Sequence, residues 1–429
     1  MKKTTNGSSC LNSSKNDNNS PLRICLLTYR GKPTSGGQGV YVKRIGRALS
    51  DLGHKVDVLS GPPYPILDDD ITLHKLPSLD LYNPEDLFRI PHLHELKSMT
   101  NWIEWLGVST GGFPEPLTFG MRAYQFMRKH HQDYDIVHDN QCLSYGLLDI
   151  KQLGVPLIAT IHHPITVDRD IEVQAEKWFW KKWKVRRWYS FIGMQLKVSS
   201  KIPHIITVSE ASKNDISNAF QIPATNFRVV ANGINTEIFH PLPDEVRLEN
   251  QVMVTNSADM PLKGLRYLLE AVSALRKKRD IKLTVIGEPK KHGVIERLVK
   301  NLALNGCVTF TGRIADEEFA RYYAKTTIAV VPSIYEGFGL PAGEAMACGV
   351  PVISTTGGAL PEVVGDAGIL VPPGDAKALE TAIVDLLDNP EKRDKLGKAG
   401  YERVLKNFTW HNTAMNIEKL YREAIHAHR

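Results

Sequence analysis

Short apolar segments rich in β-branched residues alternate along this chain with longer segments of amphipathic pattern. In the first of the longer segments, Val42, Ile45 and Leu49 recur at the spacing of one helix face, and Gly53 is a typical helix end. Further apolar segments follow at 135–140, 156–162 and 204–209. Apolar strands that alternate with helices are typical of a parallel sheet that is covered on both faces.

The same alternation starts again near Gln251, with apolar segments at 251–257, 281–287, 307–312 and 327–333. The chain has 429 residues, too many for one ordinary hydrophobic core, and its 42% hydrophobic content is enough to fill two. The pattern therefore predicts an α/β protein with two facing, doubly wound Rossmann-like domains and a cleft between them. Residues 231–250, rich in turn formers and prolines, are the expected hinge.

Composition indicates the setting in which this protein works. Residues 1–20 are rich in Asn, Ser and Lys, and we expect a disordered tail there rather than a secretory signal. No run of 18 apolar residues occurs, so no membrane-spanning helix is expected. Five scattered cysteines without metal-ligand spacing are typical of free thiols in the cytoplasm. The net charge of +6 is modest for this length and does not indicate nucleic-acid binding.

Two carboxylates, Glu336 and Glu344, bracket a glycine-rich turn after the apolar segment 327–333. Each carboxylate can accept hydrogen bonds from two neighbouring hydroxyls, which recognition of a ribose or hexose diol requires. Taken alone, the spacing also fits a Glu344 that only caps its helix and a Glu336 that only faces solvent. The intervening glycines and Pro341 favour a nucleotide sugar, which presents a diol at each end of a diphosphate.

The turn between the two carboxylates is predicted to bind the diphosphate. Gly337 and Gly339 leave their backbone N–H groups uncovered by side chains. A helix is expected to begin near Ala342, with Glu344 in its first turn, and to point the positive end of its dipole at the same place. Both features suit a phosphate group.

Residues 332–375, which include EGFGLPAGE and TTGGALPEVVGDAG, resemble the signature region of retaining glycosyltransferases of family 4, the group 1 glycosyltransferases. The resemblance covers most of residues 22–425 and implies the GT-B fold. It implies that Glu336 contacts the donor sugar and that Glu344 holds the ribose. It also implies that backbone amides of the turn meet sugar and phosphate. These amides belong to Gly337, Phe338, Gly339 and Leu340.

The resemblance assigns residues 21–235 to an acceptor domain, 236–408 to a donor-nucleotide domain, and 409–429 to a helix that packs back on the first domain. The expected partners are a UDP-, GDP- or ADP-linked sugar and a glycan, lipid or small-molecule acceptor. No metal and no other cofactor is expected, because the histidines lack a ligand pattern such as H-E-x-x-H.

A second glycine-rich turn, residues 35–39, lies between the first strand and the first helix. A plain tight turn needs fewer glycines, and the family has a Gly-Gly loop here, so the amides of Gly36 and Gly37 are expected to bind the donor's leaving diphosphate or an acceptor. Neither turn contains G-x-G-x-x-G, since position 42 is Val42 and Gly343 comes one residue too late. This argues against a dinucleotide-dependent oxidoreductase.

His162 and His163 end an apolar strand at its carboxyl edge, where ligands bind in open α/β sheets. A lone histidine is more often structural than functional, but the family places a histidine near the donor sugar here. His162 is therefore expected to make that contact. His138 and Asp139 are expected at the same edge, and Asn140 stands where many relatives have a second histidine.

Lys263 begins a helix just after the first strand of the second series. It can neutralise a diphosphate as negative charge grows on the leaving group, whereas the alternative is a solvated lysine at a helix start. Family members usually have an arginine five or six residues earlier, where this chain has Ser257 and Ala258. Arg313 is the expected substitute.

Residues 177–189 interleave basic side chains with tryptophan and phenylalanine. This composition is typical of a segment that rests in a lipid headgroup layer, so it predicts peripheral contact with the inner face of the membrane. The aromatic residues do not gather on one helix face. Packing in the core and stacking on a sugar acceptor therefore stay open.

The predicted reaction transfers a hexose from a nucleoside-diphosphate sugar to an acceptor hydroxyl, and the resemblance implies retention at the anomeric carbon. The expected catalytic residues are His162, Lys263 and Glu336. Closure of the two domains would exclude water and limit donor hydrolysis. Two alternatives are a catalytically inactive nucleotide-sugar binding or regulatory protein, which the missing arginine favours, and a sugar-nucleotide epimerase.

Overall fold

The computed structural model of this protein describes residues 20–32, 37–83, 85–86, 89–255 and 260–428. The predicted tail lies outside the described residues except for its last position. The strands of the first sheet are β1 (Arg23–Thr28), β2 (Lys55–Ser60), β3 (Thr72–Lys75), β4 (Ile136–Asn140), β5 (Leu157–Thr160), β6 (Ile205–Thr207) and β7 (Phe227–Val229). The strands of the second sheet are β8 (Gln251–Thr255), β9 (Lys282–Ile286), β10 (Val308–Phe310), β11 (Ile328–Val331), β12 (Val352–Thr355) and β13 (Ile369–Val371).

The α-helices are also numbered in chain order. Those up to the end of the first sheet are α1 (Gln38–Asp51), α2 (Met99–Ser109), α3 (Glu115–His130), α4 (Tyr145–Gln152), α5 (Ile165–Ala175), α6 (Phe179–Trp188), α7 (Ile192–Ser199) and α8 (Glu210–Phe220). The remaining helices are α9 (Leu265–Arg276), α10 (Val294–Asn301), α11 (Asp316–Ala324), α12 (Leu340–Ala347), α13 (Leu360–Val364), α14 (Ala376–Asp388), α15 (Pro390–Asn407) and α16 (Trp410–His428).

Within the described residues both sheets are parallel and doubly wound, as predicted. The strand order is β3-β2-β1-β4-β5-β6-β7 in the first sheet and β10-β9-β8-β11-β12-β13 in the second. Chain order therefore reverses between β1 and β4, and again between β8 and β11. In open parallel sheets, ligands bind at such reversals, outside the carboxyl ends of the strands.

Burial on both faces explains the near-continuous apolar composition of the strands. In β1, Ile24 and Leu26 pack on one face with residues of α1, while Cys25 and Leu27 pack on the other with residues of α3, α4 and α7. This alternation follows from the two-residue period of a strand. β8 divides its side chains in the same way between two core clusters.

The last helix, α16, returns to the first sheet. Its apolar residues Ala414, Ile417 and Tyr421 pack in the same core cluster as Ile45 and Leu49 of α1. The Tyr421 hydroxyl also lies 2.6 Å from Nδ1 of His138 on β4. A helix that follows the second sheet in sequence thus covers one face of the first.

Candidate active site

The glycine-rich turn lies between β11 and α12, and residues 335–339 are here called the donor loop. Gly339 has a φ of 104° and is the N-cap of α12, and Pro341 occupies a first-turn position. Because these residues start the helix at Leu340, Glu344 lies in the second turn. The predicted start near Ala342, with Glu344 in the first turn, is therefore wrong.

The backbone of the donor loop is open to a ligand. Within the described residues, no hydrogen bond leaves the backbone N–H groups of Gly337, Phe338 and Gly339. The Phe338 side chain is buried and packs edge-on against Phe408, with ring centroids 5.9 Å apart. Phe338 can therefore offer a ligand its amide but not its ring, and Leu340, at the start of α12, is exposed.

Glu336 and Lys263 meet directly. Nζ of Lys263 lies 2.7 Å from Oε1 of Glu336, and the Ser333 hydroxyl donates to the same oxygen at 2.8 Å. Lys263 is the last residue of a short 3₁₀ turn, and Gly264 follows with a φ of 67°. A Cβ on Gly264 would lie 1.9 Å from the carbonyl oxygen of Pro332, so only glycine lets this turn approach the end of β11.

Glu344 lies in the second turn of α12, and its charge acts on Tyr323 and Cys348. Burial, together with the charge of Glu344, raises the pKa values of the Tyr323 hydroxyl and the Cys348 thiol. The Tyr323 hydroxyl lies 3.1 Å from Oγ1 of Thr255, the last residue of β8. Both carboxylates therefore follow β11, which with β8 forms the reversal point of the second sheet.

The facing surface of the first domain is centred on His162. Nε2 of His162 lies 2.8 Å from Oδ1 of Asn140, and the His162 backbone N–H donates to Oε1 of Gln141 at 2.8 Å. The ring of Tyr41 contacts the His162 ring at a centroid distance of 4.6 Å. Burial lowers the pKa of His162 to about 3, so its ring is neutral at physiological pH.

The donor loop and this histidine surface come into contact. A Cβ added to Gly337 would lie 3.4 Å from the carbonyl oxygen of His162 and 3.8 Å from Cβ of His163. Nε2 of His163 lies 2.9 Å from Oδ2 of Asp168. The structure therefore brings Glu336, Lys263, the loop amides and His162 to one place between the two sheets.

Other predicted site residues lie farther away or outside the described part. Gly37 has a φ of 68° and is the N-cap of α1, but Gly36 lies outside the described residues, as do Ser257 and Ala258. Arg313 is exposed and follows β10, which lies two strands from β8, about 10 Å in a sheet. Its role as a substitute cation stays a prediction.

The expectation that His138 lies at the ligand edge is wrong. His138 is buried between α16 and the sheet, where its ring nitrogens contact the hydroxyls of Tyr421 and Thr160. Asp139 is also buried, and its Oδ2 accepts a hydrogen bond from the Leu143 N–H. Asp139 therefore supports the turn after β4, and His138 links β4 to α16 and β5.

The basic and aromatic segment divides into two parts. Trp188 stacks on Phe113 with ring centroids 5.1 Å apart, and the Tyr189 hydroxyl donates to Glu172. The other four aromatic side chains are exposed, so core packing is wrong for them. Their exposed fractions are 61% for Trp178, 83% for Phe179, 44% for Trp180 and 62% for Trp183.

The described residues contain neither a membrane-spanning helix nor a metal-binding cluster. In that part of the chain, no helix is both long and apolar enough to cross a membrane. The same residues contain no group of three or more histidine, cysteine, aspartate or glutamate side chains arranged around a metal. Metal independence stays a prediction.

Sequence reasoning missed several residues that touch the site. The Gln141 side chain accepts a hydrogen bond from the His162 backbone N–H. Gln141 has a left-handed backbone conformation with a φ of 55°, which no local pattern predicts for a residue other than glycine. Ser209 and Ser212 donate hydrogen bonds to the Gly337 carbonyl oxygen. The Ser209 N-cap of α8 could have been read from its serine before a helical segment, but its contact across the cleft could not.

Comparisons with known proteins agree with this geometry. The family described as "Glycosyltransferase Family 4" matches residues 35–238, and "Glycosyl transferases group 1" matches residues 244–403. The chain is 45% identical to a protein of Mycolicibacterium hassiacum named MMP alpha-(1->4)-mannosyltransferase, over 94% of this chain and 98% of that protein.

Solved structures show the same two-domain architecture. The sucrose-phosphate synthase of Thermosynechococcus elongatus matches with a TM-score of 0.71 and 26% identity, over 95% of this chain and 100% of the other. Anabaena Alr3699/HepE, solved with UDP and glucose, matches with a TM-score of 0.68 and 17% identity, over 94% and 99% of the two chains. The protein thus has the GT-B fold and belongs to the group 1, family 4 glycosyltransferases.

Proposed function

We propose that this glycosyltransferase moves a mannosyl residue from a nucleoside-diphosphate mannose to a hydroxyl group of a saccharide acceptor, in α-(1→4) linkage. The linkage and the sugar are supported by the M. hassiacum relative, whose name gives both and which aligns over almost its whole length. An α-linked product from an α-linked nucleotide sugar corresponds to retention at the anomeric carbon.

The observation that carries the proposal is the Lys263–Glu336 pair beside the unoccupied amides of the donor loop. The carboxylate is nearly buried, with 11% of its side chain exposed, yet it adjoins N–H groups that have no protein partner among the described residues. A ligand with hydroxyls at one end and a diphosphate at the other satisfies both groups at once.

The proposed step is a front-face displacement. The bond between the anomeric carbon and the diphosphate oxygen breaks, and a bond from that carbon to the acceptor oxygen forms on the same face. The acceptor proton passes to the departing phosphate, so the products are the glycoside and a nucleoside diphosphate. Lys263 and the amides of Gly337 and Gly339 stabilise the negative charge that develops on the leaving group.

His162 contributes hydrogen bonding and shape rather than a proton. Its pKa of about 3 leaves the ring uncharged near neutral pH, so it cannot act as a general acid there. Nε2 of the neutral ring faces Oδ1 of Asn140, so a ring that donates there keeps Nδ1 as an acceptor for a sugar hydroxyl. Contact of the two surfaces also keeps water away from the anomeric carbon.

The direct test is an assay of the full chain with GDP-, UDP- and ADP-linked mannose and glucose, with and without short α-mannosides as acceptors. We expect acceptor-dependent release of a nucleoside diphosphate from a mannose donor and an α-(1→4) product by NMR. Glu336→Ala is the negative control, because it removes the carboxylate that faces the donor. A product with β configuration or a different linkage contradicts the proposal.

The same assay separates the two alternative functions. A non-catalytic binding protein would gain thermal stability with a nucleotide sugar but release no nucleoside diphosphate. An epimerase would convert the donor without any acceptor. A parallel reaction with EDTA tests the proposed metal independence, for which we expect unchanged turnover.

We also propose that α6 contacts an anionic lipid surface. Four exposed aromatic side chains in and just before this helix are accompanied by basic residues, and Lys181 and Lys184 lie over the Trp180 ring. Tryptophan beside lysine and arginine suits the headgroup layer. Co-sedimentation with phosphatidylglycerol vesicles should be lost in a Trp178→Ala, Phe179→Ala, Trp183→Ala variant. Equal binding of this variant contradicts the lipid contact.

A further inference from the structure

The donor loop is held from two sides, and only one side belongs to its own domain. Within the second domain, the Glu336 carbonyl oxygen accepts a hydrogen bond from the Ala359 N–H at 2.9 Å, and the Glu336 side chain contacts Lys263 and Ser333. The chain neighbours of Glu336, Tyr335 and Gly337, instead bond to α8 of the first domain.

Three side chains of the first domain make these contacts. The hydroxyls of Ser209 and Ser212 both donate to the Gly337 carbonyl oxygen, at 2.7 Å and 2.9 Å. The Tyr335 hydroxyl donates to Oδ2 of Asp215 at 2.5 Å. These hydrogen bonds hold Tyr335, which precedes Glu336, and Gly337, which follows it.

A fourth contact joins the domains in the opposite direction. Glu362, in the first turn of α13, accepts hydrogen bonds from the backbone N–H groups of Glu210 and Ala211, each at 2.8 Å. These two N–H groups belong to the first turn of α8, which has no helical acceptor for them. A carboxylate at this end of a helix is also favoured by the helix dipole.

Burial of these contacts makes separation of the two domains costly. Ser209 is 1% exposed and Ser212 is fully buried, and each hydroxyl donates to an acceptor in the other domain. A buried hydroxyl without a partner is costly, so separating the domains must rehydrate both serines and the Gly337 carbonyl together. The loop geometry and the domain arrangement are therefore coupled.

We infer that Ser209, Ser212 and Asp215 of α8, with Glu362 as their counterpart, form an interdomain latch that positions Glu336 for sugar transfer. These are positioning residues: they act through the backbone on either side of Glu336. The inference rests on the proposed function for its catalytic consequence, because only a donor-bound Glu336 gives the latch a role in turnover. The structural part of the inference, that α8 orders the donor loop, does not depend on which donor binds.

The test compares a Ser209→Ala, Ser212→Ala double variant and a Tyr335→Phe variant with the wild-type chain. Ser217→Ala is the matched control, because its hydroxyl lies on the same helix and bonds to the Ile222 carbonyl within the first domain. We expect kcat for transfer to fall between about tenfold and 100-fold in the double variant, since small misplacements of a positioning group have effects of that size. The ratio of donor hydrolysis to transfer should rise, and the donor KM should change little.

Hydrogen exchange measured without substrate supplies the second readout. The amides of Ala359, Glu210 and Ala211, whose hydrogen bonds hold the donor loop or join the two domains, should exchange faster in the double variant than in wild type and in the Ser217→Ala control, while exchange in β11 stays unchanged. Restoring one hydroxyl with Ser209→Ala, Ser212→Thr should recover part of the protection and part of the transfer rate. This partial rescue separates loss of the hydroxyls from a general loss of stability.

The outcomes distinguish the latch from the proposed function. If the wild-type protein transfers no mannose from any donor but the double variant still shows faster exchange at Ala359, Glu210 and Ala211, the latch is supported and the proposed function is rejected. Normal mannosyl transfer by the double variant, with unchanged hydrolysis and unchanged exchange, overturns the latch and leaves the proposed function intact.

Discussion

The two walls of the cleft treat charge in opposite ways. The wall from the second domain presents an ion pair, Lys263 and Glu336, whose charged atoms lie 2.7 Å apart. The wall from the first domain instead presents His162, whose pKa burial lowers to about 3, so that its ring is uncharged near neutral pH. Elsewhere in the same domain, burial also lowers the pKa of His138 to about 3 and raises that of Glu115 to about 8.

This difference has a clear physical meaning. A diphosphate needs cationic or N–H partners that stabilise a growing negative charge. A hydroxyl group that attacks or is held in place needs neutral hydrogen-bonding groups and the exclusion of water. If one domain supplies each kind of surface, closing the cleft surrounds the donor without placing like charges together.

Removing the cation should have the largest effect. Lys263→Met keeps the length of the side chain but removes the charge beside the diphosphate, so kcat should fall about 100-fold to 1,000-fold. Steady-state kinetics with saturating donor measures this fall. Lys278→Met is the matched control, since Lys278 forms a surface pair with Glu380 and should leave kcat nearly unchanged. A loss confined to KM would show that Lys263 binds the donor without stabilising the leaving group.

Neutralising the carboxylate should have the next largest effect. Glu336→Gln keeps the shape but replaces a charged acceptor by a neutral one, so kcat/KM should fall about tenfold to 100-fold. It also removes the partner of the Lys263 ammonium group. A Glu336→Gln enzyme with wild-type kcat/KM would mean that the carboxylate does not bind the sugar.

The neutral wall predicts a simpler pH profile and a smaller effect. His162→Ala removes a neutral hydrogen-bonding group, so kcat should fall about threefold to tenfold. Because the His162 pKa is about 3, this residue should not titrate between about pH 5 and pH 8. The pH profiles of kcat for wild type and His162→Gln should therefore have the same shape in this range. A step near pH 6.5 that disappears in this variant would show that the histidine titrates during turnover.

The smallest effect concerns stability rather than catalysis. Glu115 is buried, and burial raises its pKa to about 8, although the Arg30 guanidinium 3.3 Å away opposes this rise. Between its ordinary value of 4.5 and about 8, the folded protein therefore binds more protons at Glu115 than the unfolded chain does. Stability from this group must then fall as the pH rises through that range.

Glu115→Gln removes the titrating group, so the decrease in melting temperature between pH 5 and pH 8 should become smaller than in wild type. Thermal unfolding in a series of buffers measures the difference. Replacement of the exposed Glu402 by glutamine should leave the pH dependence unchanged. If Glu115→Gln leaves the pH dependence unchanged, Glu115 is charged in the folded protein throughout this range, paired with Arg30.

Periodicity predicted most of the architecture. The apolar segments at 135–140, 251–257 and 281–287 became β4, β8 and β9 within about two residues, because strands buried on both faces have a strong and local signature. β3 was not predicted, since its four residues, Thr72–Lys75, are mostly polar and partly exposed at the sheet edge. The start of α12 was misplaced because the backbone conformation of Gly339 is not visible in the pattern.

Residue types and spacing by themselves predicted Glu336, Lys263 and the open amides as site residues. A glycine-rich turn after a buried strand is a local pattern that the sequence shows directly. Only the tertiary structure decided which groups approach that bend. His162 and Gln141 come from the ends of two neighbouring strands, and Ser209, Ser212 and Asp215 come from the start of a helix more than 100 residues earlier in the chain. Contacts between distant segments depend on how two separately built cores dock. No local pattern encodes that docking, because each partner forms an ordinary cap, turn or strand end in its own domain.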